Sequence, residues 1–330
     1  MPEIPTAPAG FGKAGTQPLP MTKGTIIGID IGGTKTAIIR GTRKGAILHR
    51  SKFPTSAERG FPAVFEDISR FVRNALTEGG EDVCALSVSV GGPLDVLSGI
   101  IKNPPNLPGW NNVPLKELLS DRFHLPVYIE HDGNAGALAE FYFGAGRGCS
   151  NVVFITMGTG FGAGLILGGR LYRGTNDVAG EIGHIRVAED GPEAYGKHGS
   201  LEGYASGTGI AKLAVEMYPE RWPAVTAPDL YSAFRAGLPE AAAVFARASM
   251  ALGRGLAIIA DTLNPERIIL GGIGMRMWDA LVEPACAVLR EEALPEALEV
   301  CRVVPAALGE SIGDLAALCA ALDQGNLLEC

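Results

Sequence analysis

The sequence has little charge and no strongly basic region. Charged residues make up 19% of its 330 residues, and 28 Lys and Arg face 36 Asp and Glu, for a net charge of −8. This balance argues against nucleic acid as a partner. Hydrophobic residues make up 47% of the chain, which excludes wholesale disorder. The composition therefore predicts a globular protein whose partners are small ligands.

Paired cysteines and long apolar runs are absent as well. The six cysteines form no C-x-x-C pair: Cys84, Cys149, Cys286, Cys301, Cys319 and Cys330. Their spacing suggests neither a disulfide framework nor a cysteine-based zinc site, and it predicts a reducing, cytoplasmic location. Gly, Pro or a charge interrupts every apolar stretch before the ~18 to 20 residues that a bilayer requires. Residues 1–20 lack the apolar segment of a secretory signal, so we expect a loose tail and no membrane partner.

Glycine is abundant, and it marks a repeated pattern. The 45 glycines exceed the ~7% average usage and cluster at the ends of β-rich runs. The run TIIGIDI, the turn GGTK and the run TAIIRG predict strand, turn and strand from residue 25 onward. NVVFITM, GTGFG and AGLILGG repeat this unit, and Gly158 follows Gly32 by 126 residues. The repeat suggests two similar α/β halves facing each other across a cleft, with two unrelated hairpins as the alternative.

The rest of the chain predicts helices alternating with short strands. Helices are expected where apolar residues recur at three- and four-residue spacing, and strands where short buried runs end in glycine or a turn. The predicted helices cover 64–76, 134–142, 239–262 (one long or two abutting helices) and the final segment GDLAALCAAL. The further predicted strands cover 84–90, 127–130 and 267–270.

Three glycine-rich turns are candidates for phosphate binding, because glycine lets backbone N–H groups approach a ligand closely. The first is no P-loop, since Thr34 separates Gly33 from Lys35 and a strand follows. The second, at Gly158, is no dinucleotide fingerprint, because a strand and not a helix follows it. The third is formed by Gly271 and Gly272. Asp30 precedes the first turn, where a carboxylate can hold Mg²⁺ directly or through water. A purely structural role for each glycine is the alternative.

Several motifs in order resemble the ROK family of sugar kinases and sugar-responsive repressors. They are DIGGTK (30–35), PNLPGW (105–110), EHDGNAGALAE (130–140), TMGTGFGAGLILGGRLYRG (156–174), AGEIGH (179–184) and LEGYASG (201–207). The resemblance implies an α/β fold with two ribonuclease-H-like, actin-like ATPase domains flanking a cleft that holds ATP and a sugar. We expect a flexible tail (1–22), an N-terminal domain (23–133) onto which the final helix (about 312–323) packs, and a C-terminal domain (134–311).

The resemblance also implies the site residues. Asp132 takes the place of the catalytic base, although a helix N-cap is the alternative for this aspartate. The implied sugar-binding residues are Asn106, His131, Asp132, Glu181, His184 and Glu202. The implied nucleotide-binding residues are Asp30, Gly32, Gly33, Thr34, Lys35, Thr156, Gly158, Thr159, Gly160, Gly271 and Gly272. Without the motifs, the acidic and histidine residues would be interpreted as surface charges or satisfied polar groups.

Two departures from the family pattern bear on the substrate and on metal binding. His131 stands where the family usually has Asn, in a position that normally contacts the sugar. Many members hold a structural zinc with one His and three Cys, whereas Glu193, Tyr195 and Ser200 occupy the Cys positions here. Because Tyr, Ser and Glu are a poor ligand set for structural zinc, we predict no zinc. A site formed by His184, His198 and Glu193 is the alternative.

The leading functional hypothesis is an ATP- and Mg²⁺-dependent kinase for a glucose-type hexose. An N-acylhexosamine, fructose or cyclitol kinase and a silent sugar-binding member are the alternatives. A repressor requires a helix-turn-helix module ahead of the ATPase-like fold, and only about two dozen residues precede the first predicted strand. The resemblance further implies a homodimer.

Overall fold

Two five-stranded sheets organise the chain in the computed structural model, which describes residues 24–78 and 82–328. The predicted tail, residues 1–22, lies outside the described residues. The strands are β1 (Thr25–Ile31), β2 (Lys35–Thr42), β3 (Ile47–Pro54), β4 (Val83–Val90), β5 (Leu94–Asp95), β6 (Ile100–Ile101), β7 (Val113–Pro114), β8 (Val127–His131), β9 (Val152–Met157), β10 (Phe161–Leu167), β11 (Arg170–Tyr172), β12 (Arg267–Leu270) and β13 (Arg302–Pro305).

The two large sheets have the same topology. Their strand orders are β3-β2-β1-β4-β8 and β11-β10-β9-β12-β13. In each, the first three strands form an antiparallel meander and the last two run parallel to the meander's first strand. Two unrelated hairpins would share only the pairing of their own two strands. The two sheets also share the third meander strand and the two parallel strands, so the predicted repeat extends to the whole sheet. The predicted α/β class is confirmed. Strands β5, β6 and β7 form a separate small sheet.

Eleven α-helices lie in the described part of the chain. They are α1 (Phe61–Thr77), α2 (Leu115–Phe123), α3 (Asp132–Phe143), α4 (Leu201–Ala205), α5 (Gly207–Met217), α6 (Ala227–Arg235), α7 (Pro239–Leu263), α8 (Ile273–Arg276), α9 (Glu283–Glu292), α10 (Pro295–Val300) and α11 (Ile312–Gln324). A π-helical segment, Trp278–Val282, connects α8 to α9.

Helix α7 is the one long helix of the two possibilities that the sequence left open. It is a single helix of 25 residues, and by length and a mean hydropathy of 1.4 it is apolar enough to cross a membrane. In the structure, 61% of the most apolar 18-residue stretch of α7 is buried. Helix α7 packs against α4, α5, α6 and α9. Its apolar surface is therefore covered by other parts of the fold, as in the core helix of a globular protein.

Helices α3 and α11 pack between the two sheets. Helix α3 contacts β9 and β10 of the second sheet, whereas α11 contacts β1, β2, β4 and β8 of the first. A buried cluster joins the two helices to residues from both sheets, including Ile26, Ile39, Phe154 and Ile269. Every residue of α3 from Gly133 to Glu140 is buried, which fits the predominance of Gly and Ala in this stretch; its two polar residues, Asn134 and Glu140, have hydrogen-bond partners. The outer faces of the sheets are covered by α1 and α2 on one side and by α4–α9 on the other.

Glycines in the strands allow the close approach of these central helices. A Cβ placed on Gly164 in β10 would lie 2.5 Å from the Cβ of Ala137 and 2.7 Å from the carbonyl oxygen of Gly133, both in α3. A Cβ on Gly28 in β1 would lie 2.9 Å from the Cβ of Ala317 in α11. Each helix thus contacts its sheet through a residue without a side chain.

The Gly164 contact gives a prediction about stability. We expect Gly164→Ala to lower the free energy of unfolding by about 1–3 kcal/mol, because the added methyl group overlaps the backbone of α3. Urea denaturation measures this change. Gly162→Ala, on the same strand, is the control: its Cβ would meet only the Thr156 side chain at 3.6 Å. Equal unfolding free energies for the two variants would contradict the proposed packing constraint.

Candidate functional site

The structure brings three predicted site residues into one cavity. Asp30 is the penultimate residue of β1, Asp132 begins α3 directly after β8, and Thr156 lies near the end of β9. All three line a cavity of about 120 Å³, together with Ser89 of β4 and the first turn of α11. Strands β1, β4 and β8 are parallel, and ligands of α/β sheets bind at the carboxyl ends of such strands.

Negative charge is concentrated at Asp30. Burial, followed by the nearby carboxylates of Asp132 and Asp314, raises the pKa of Asp30 from 3.8 to about 6, while Lys52 and Lys35 act in the opposite direction. Asp314, near the start of α11, forms an ion pair with Arg50 at 2.8 Å. A bound cation would relieve the repulsion between these carboxylates, and carboxylate oxygens are the ligands that Mg²⁺ prefers. Within the described residues, these carboxylates do not form a set of three protein ligands for a metal ion. One or two carboxylates completed by water and phosphate oxygens are the usual magnesium ligands, and Asp30 fits that arrangement.

Asp132 keeps one carboxylate oxygen uncommitted. Its Oδ1 accepts the backbone N–H of Gly133 at 2.8 Å, and Nδ1 of His131 lies 3.1 Å from the same oxygen. The Gly133 N–H is shared, because it also donates to Nδ1 of His131 at 3.3 Å. The N-cap position of α3 is occupied by His131. Asp132 is thus the first helical residue, and its Oδ2 is not used by the hydrogen bonds of the described residues.

Asn106 and His131 lie beside Asp132, around the loop that follows β4. A Cβ placed on Gly91 would be 3.4 Å from Nδ2 of Asn106 and 3.7 Å from Oδ2 of Asp132. The imidazole of His131 packs on the next residue, Gly92, where a Cβ would approach within 2.7 Å of the ring. One half of the predicted sugar-binding set, Asn106, His131 and Asp132, is therefore assembled here.

The other half forms around the turn between β9 and β10. Oε2 of Glu202 accepts the backbone N–H of Phe161 at 2.9 Å, and the His184 ring lies against the ring of Tyr195 with centroids 4.1 Å apart. The segment with Glu181 and His184 runs along β10, since a Cβ on Gly183 would lie 2.5 Å from the Phe161 carbonyl oxygen. Gly133, next to Asp132, also faces β10, at Ala163. Gly180, next to Glu181, faces the same Ala163 carbonyl oxygen, so both halves of the set approach β10.

The residues in the zinc-ligand positions have other partners. The Ser200 hydroxyl caps α4 by accepting the Gly203 N–H at 3.2 Å, and the Tyr195 hydroxyl donates to Glu202 at 2.7 Å. Nδ1 of His198 lies 2.7 Å from the Gly191 carbonyl oxygen. Among residues 24–78 and 82–328, no group of three His, Cys, Asp or Glu side chains is placed to hold a metal ion. The residues present therefore do not fit the family's structural zinc.

Two further cavities contain predicted nucleotide-binding residues. Gly158 and Thr159 line a cavity of about 560 Å³ between α5, α6 and α8. Thr156, Gly271 and Gly272 line a neighbouring cavity of about 160 Å³. Gly160 lies next to the Glu202 carboxylate, where a Cβ added to Gly160 would be 3.0 Å from Oε2. Arg276 lines both cavities and forms an ion pair with Glu310 at 3.2 Å.

The turn between β1 and β2 lies outside the walls of these cavities. Gly32, Gly33, Thr34 and Lys35 do not line any of the three cavities described above. Two observations connect the turn with other predicted site residues. Lys35 partly offsets the rise in the pKa of the Asp30 carboxyl. Gly33 faces Asn106 so closely that an added Cβ would lie 2.6 Å from the Asn106 carbonyl oxygen. Their role in nucleotide binding stays a prediction.

Sequence reasoning missed several residues of the site. Most line the cavity of about 560 Å³: Thr208, Ala211, Val225, Thr226, Ala227, Pro228, Ile273 and Arg276. In the sequence, the motif SGTG at 206–209 is the one feature that indicates residues of this cavity. Asp314 and Ser89 were missed because nothing in a strand pattern or in an Ala-rich helix distinguishes a residue that faces a cavity. Tyr195 was considered only as a missing zinc ligand.

The raised pKa of Asp30 predicts a pH-dependent stability. Because the folded chain binds this proton more tightly than the unfolded chain does, the carboxyl destabilises the folded chain increasingly as pH rises from about 4 through 6. We expect Asp30→Asn, compared with wild type without Mg²⁺, to gain about 1–3 kcal/mol in unfolding free energy between pH 4 and pH 8. Denaturant titrations across this range measure the difference. Asp121→Asn, at an exposed site on α2, should show no such trend, and a gain that is absent in Asp30→Asn would contradict the assignment.

The chain is similar to known carbohydrate kinases over most of its length. It is 33% identical over 303 residues to a glucokinase of Halalkalibacterium halodurans, which covers 87% of this chain and 92% of the relative. The structure is similar to a ROK hexokinase of Thermus thermophilus, with a TM-score of 0.80, 32% identity and coverage of 92% and 99% of the two chains.

A third comparison involves a ligand complex. The structure of a ROK family glucokinase from Streptomyces griseus in complex with glucose and AMPPNP matches with a TM-score of 0.74 and 32% identity, covering 92% of this chain and all of that one. The ROK family model matches residues 26–324. The resemblance seen in the motifs is thus confirmed, and the chain belongs to the ROK family.

Proposed function

We propose that this chain transfers the γ-phosphoryl group of ATP to a hydroxyl of a glucose-type hexose, with Asp132 as the general base. Its general class, an ATP-dependent carbohydrate kinase, was predicted from the motifs and is confirmed by the similarity to glucokinases. The choice of sugar and the roles of individual residues are the proposal. The observation that carries it is the shared cavity of Asp30, Asp132 and Thr156.

The position of Asp132 suits proton transfer from the acceptor hydroxyl. Phosphoryl transfer relies on positioning and charge stabilisation, and a carboxylate can accept the proton of the attacking oxygen. Oδ1 accepts the Gly133 N–H, while Oδ2 lies on the side of the carboxylate nearer to Asn106, since both border Gly91. We infer that Oδ2 receives the proton and that Asn106 and His131 orient the sugar.

Asp30 and its surroundings suit the phosphate groups of ATP. Asp30 would hold Mg²⁺, directly or through water, and the ion would neutralise charge on the phosphates. The glycine-rich turn between β9 and β10 offers the backbone N–H groups of Thr159 and Gly160, whereas that of Gly158 donates to the Gly160 carbonyl oxygen at 3.0 Å. The large cavity beside it, about 560 Å³ with Ala211, Val225 and Ile273 among its walls, has the size and apolar lining suited to an adenosine.

The packing of the central helices supports the proposed two-domain division. We infer an N-terminal ribonuclease-H-like domain over 23–133 that includes the final helix at about 312–323, and a C-terminal domain over 134–311. Contacts of α11 with four strands of the first sheet support placing this helix with the N-terminal domain. The cytoplasmic location and the homodimer stay predictions.

Removing the base should abolish turnover without removing the sugar site. We expect Asp132→Asn to lower kcat at least ~100-fold, the usual range for a general base being ~10²–10⁴, while the melting temperature stays within a few degrees of wild type. A coupled ADP-release assay over a panel of hexoses measures kcat, with Asp121→Asn as the control carboxylate. Turnover above a tenth of wild type in Asp132→Asn would overturn the assignment of the base.

The adenosine cavity can be tested independently of the sugar. Ala211→Trp fills the cavity between α5 and α6, so we expect the KM for ATP to rise at least ~10-fold, since a well-packed site accommodates no added ring. The KM for the sugar should stay within about twofold. Glu216→Trp, an exposed position on the same helix, is the control. A raised sugar KM with an unchanged ATP KM would place the nucleotide elsewhere.

A further inference from the structure

Tyr195 contacts Glu202 and His184, which with Glu181 form the second half of the predicted sugar-binding set (here the acidic half). We propose that Tyr195 is a positioning residue that fixes the Glu202 carboxylate and the His184 ring, and so determines which sugar hydroxyl the site recognises. The inference rests on the proposed sugar-kinase function. Tyr195 is 45% exposed, so a soluble substrate can approach the groups it holds.

The hydrogen bonds of Glu202 are distributed unequally between its two oxygens. Oε2 accepts the Tyr195 hydroxyl at 2.7 Å and the Phe161 backbone N–H at 2.9 Å, and Gly160 lies close to the same oxygen. The hydrogen bonds within residues 24–78 and 82–328 leave Oε1 unused. One donor from a side chain and one from a strand therefore fix the rotation of the carboxylate, and they leave one acceptor for a ligand.

Tyr195 also contacts His184 and is close to Glu181. The His184 and Tyr195 rings are 4.1 Å apart, at an angle of 35°, and the Glu181 carboxylate contributes to raising the pKa of the Tyr195 hydroxyl after burial and the Glu202 hydrogen bond. All three acidic-half residues, Glu181, His184 and Glu202, are thus near one phenol ring. The raised pKa is consistent with a protonated hydroxyl that donates to Glu202.

The backbone around Tyr195 holds the ring in place. Reciprocal hydrogen bonds of 3.0 and 3.1 Å between Ala194 and Lys197 close a tight turn, in which Tyr195 adopts a left-handed φ of 56°. The Lys197 ammonium group donates to the His184 carbonyl oxygen. The turn is therefore joined to the His184 segment in two ways: the Lys197 side chain binds the His184 backbone, and the Tyr195 ring contacts the His184 ring.

The chemistry of Glu202 defines what it can recognise. An ionised carboxylate only accepts hydrogen bonds, so the ligand group at Oε1 must donate, as a sugar hydroxyl does. A site built to bind a hydroxyl discriminates strongly against an analogue that lacks it, because a buried acceptor is then left unpaired. Without the Tyr195 hydroxyl, Glu202 could rotate and Oε2 would compete for the same ligand donor.

The experiment compares Tyr195→Phe with wild type in steady-state kinetics. This variant keeps the ring stacked on His184 and removes only the hydroxyl, so we expect the sugar KM to rise roughly 10-fold. The KM for ATP and kcat should stay within about twofold. Tyr231→Phe is the matched control, because it removes a tyrosine-to-carboxylate hydrogen bond of 2.8 Å, to Asp279, away from the sugar site. Thermal melts of both variants check folding.

Monodeoxy analogues of the accepted sugar identify the hydroxyl. One analogue should bind wild type poorly and show no further loss in Tyr195→Phe, because it lacks the hydroxyl that Oε1 holds. Tyr195→Ala, which also removes the ring from His184, should raise the sugar KM further. Equal additional losses in Tyr195→Phe for every analogue would overturn the proposal, as would an unchanged sugar KM.

Failure of this inference differs from failure of the proposed function. If wild type phosphorylates a hexose and Tyr195→Phe has the same sugar KM, the positioning role is wrong and the kinase assignment stands. If wild type neither binds nor phosphorylates any sugar in calorimetry and the coupled assay, the proposed function is wrong and the role of Tyr195 is overturned with it.

Discussion

The close packing of α3 and α11 between the two sheets is the constraint on which the site depends. A side chain on Gly164 or on Gly28 would push one of these helices away from its strand. Asp132 begins α3, and Asp314 lies in the first turn of α11. A shift of either helix would therefore move a carboxylate relative to Asp30. The same small residues that let the helices pack thus determine the spacing of the charges in the cavity.

A buried ionic network reinforces this arrangement directly beside the proposed base. Glu130 is fully buried and accepts from Arg173 at 2.6 Å, from Asn134 at 3.0 Å and from the His131 backbone N–H at 3.0 Å. Arg173 also pairs with Asp323 of α11. A buried charge is tolerated only when its hydrogen bonds are satisfied. The network meets that condition by joining β8, the residue after β11, α3 and α11 near the start of α3.

The sequence predicts the elements and motifs better than it predicts contacts. Strand–turn–strand units and the Ala-rich helices follow from local periodicity, and the shared cavity of Asp30, Asp132 and Thr156 follows from the motifs. Asp314 could not be found in this way, because a single aspartate at the start of an Ala-rich helix is also a common helix-start residue. The walls of the large cavity come from α5 and α6, whose relative placement depends on packing across many residues. Composition likewise could not tell that the apolar helix α7 is buried.

The hydrogen bonds of the two carboxylates near β10 connect these observations to the proposed selectivity. Asp132, the proposed base, accepts the Gly133 N–H at Oδ1, and the hydrogen bonds of the described residues leave its Oδ2 unused. Glu202, a proposed sugar ligand, also has one unused oxygen, but two donors hold its Oε2. A carboxylate that reacts needs freedom to take a proton, whereas one that selects a ligand gains from losing rotational freedom before binding. Under the proposed function, the additional donor from Tyr195 suits the Glu202 carboxylate to recognition.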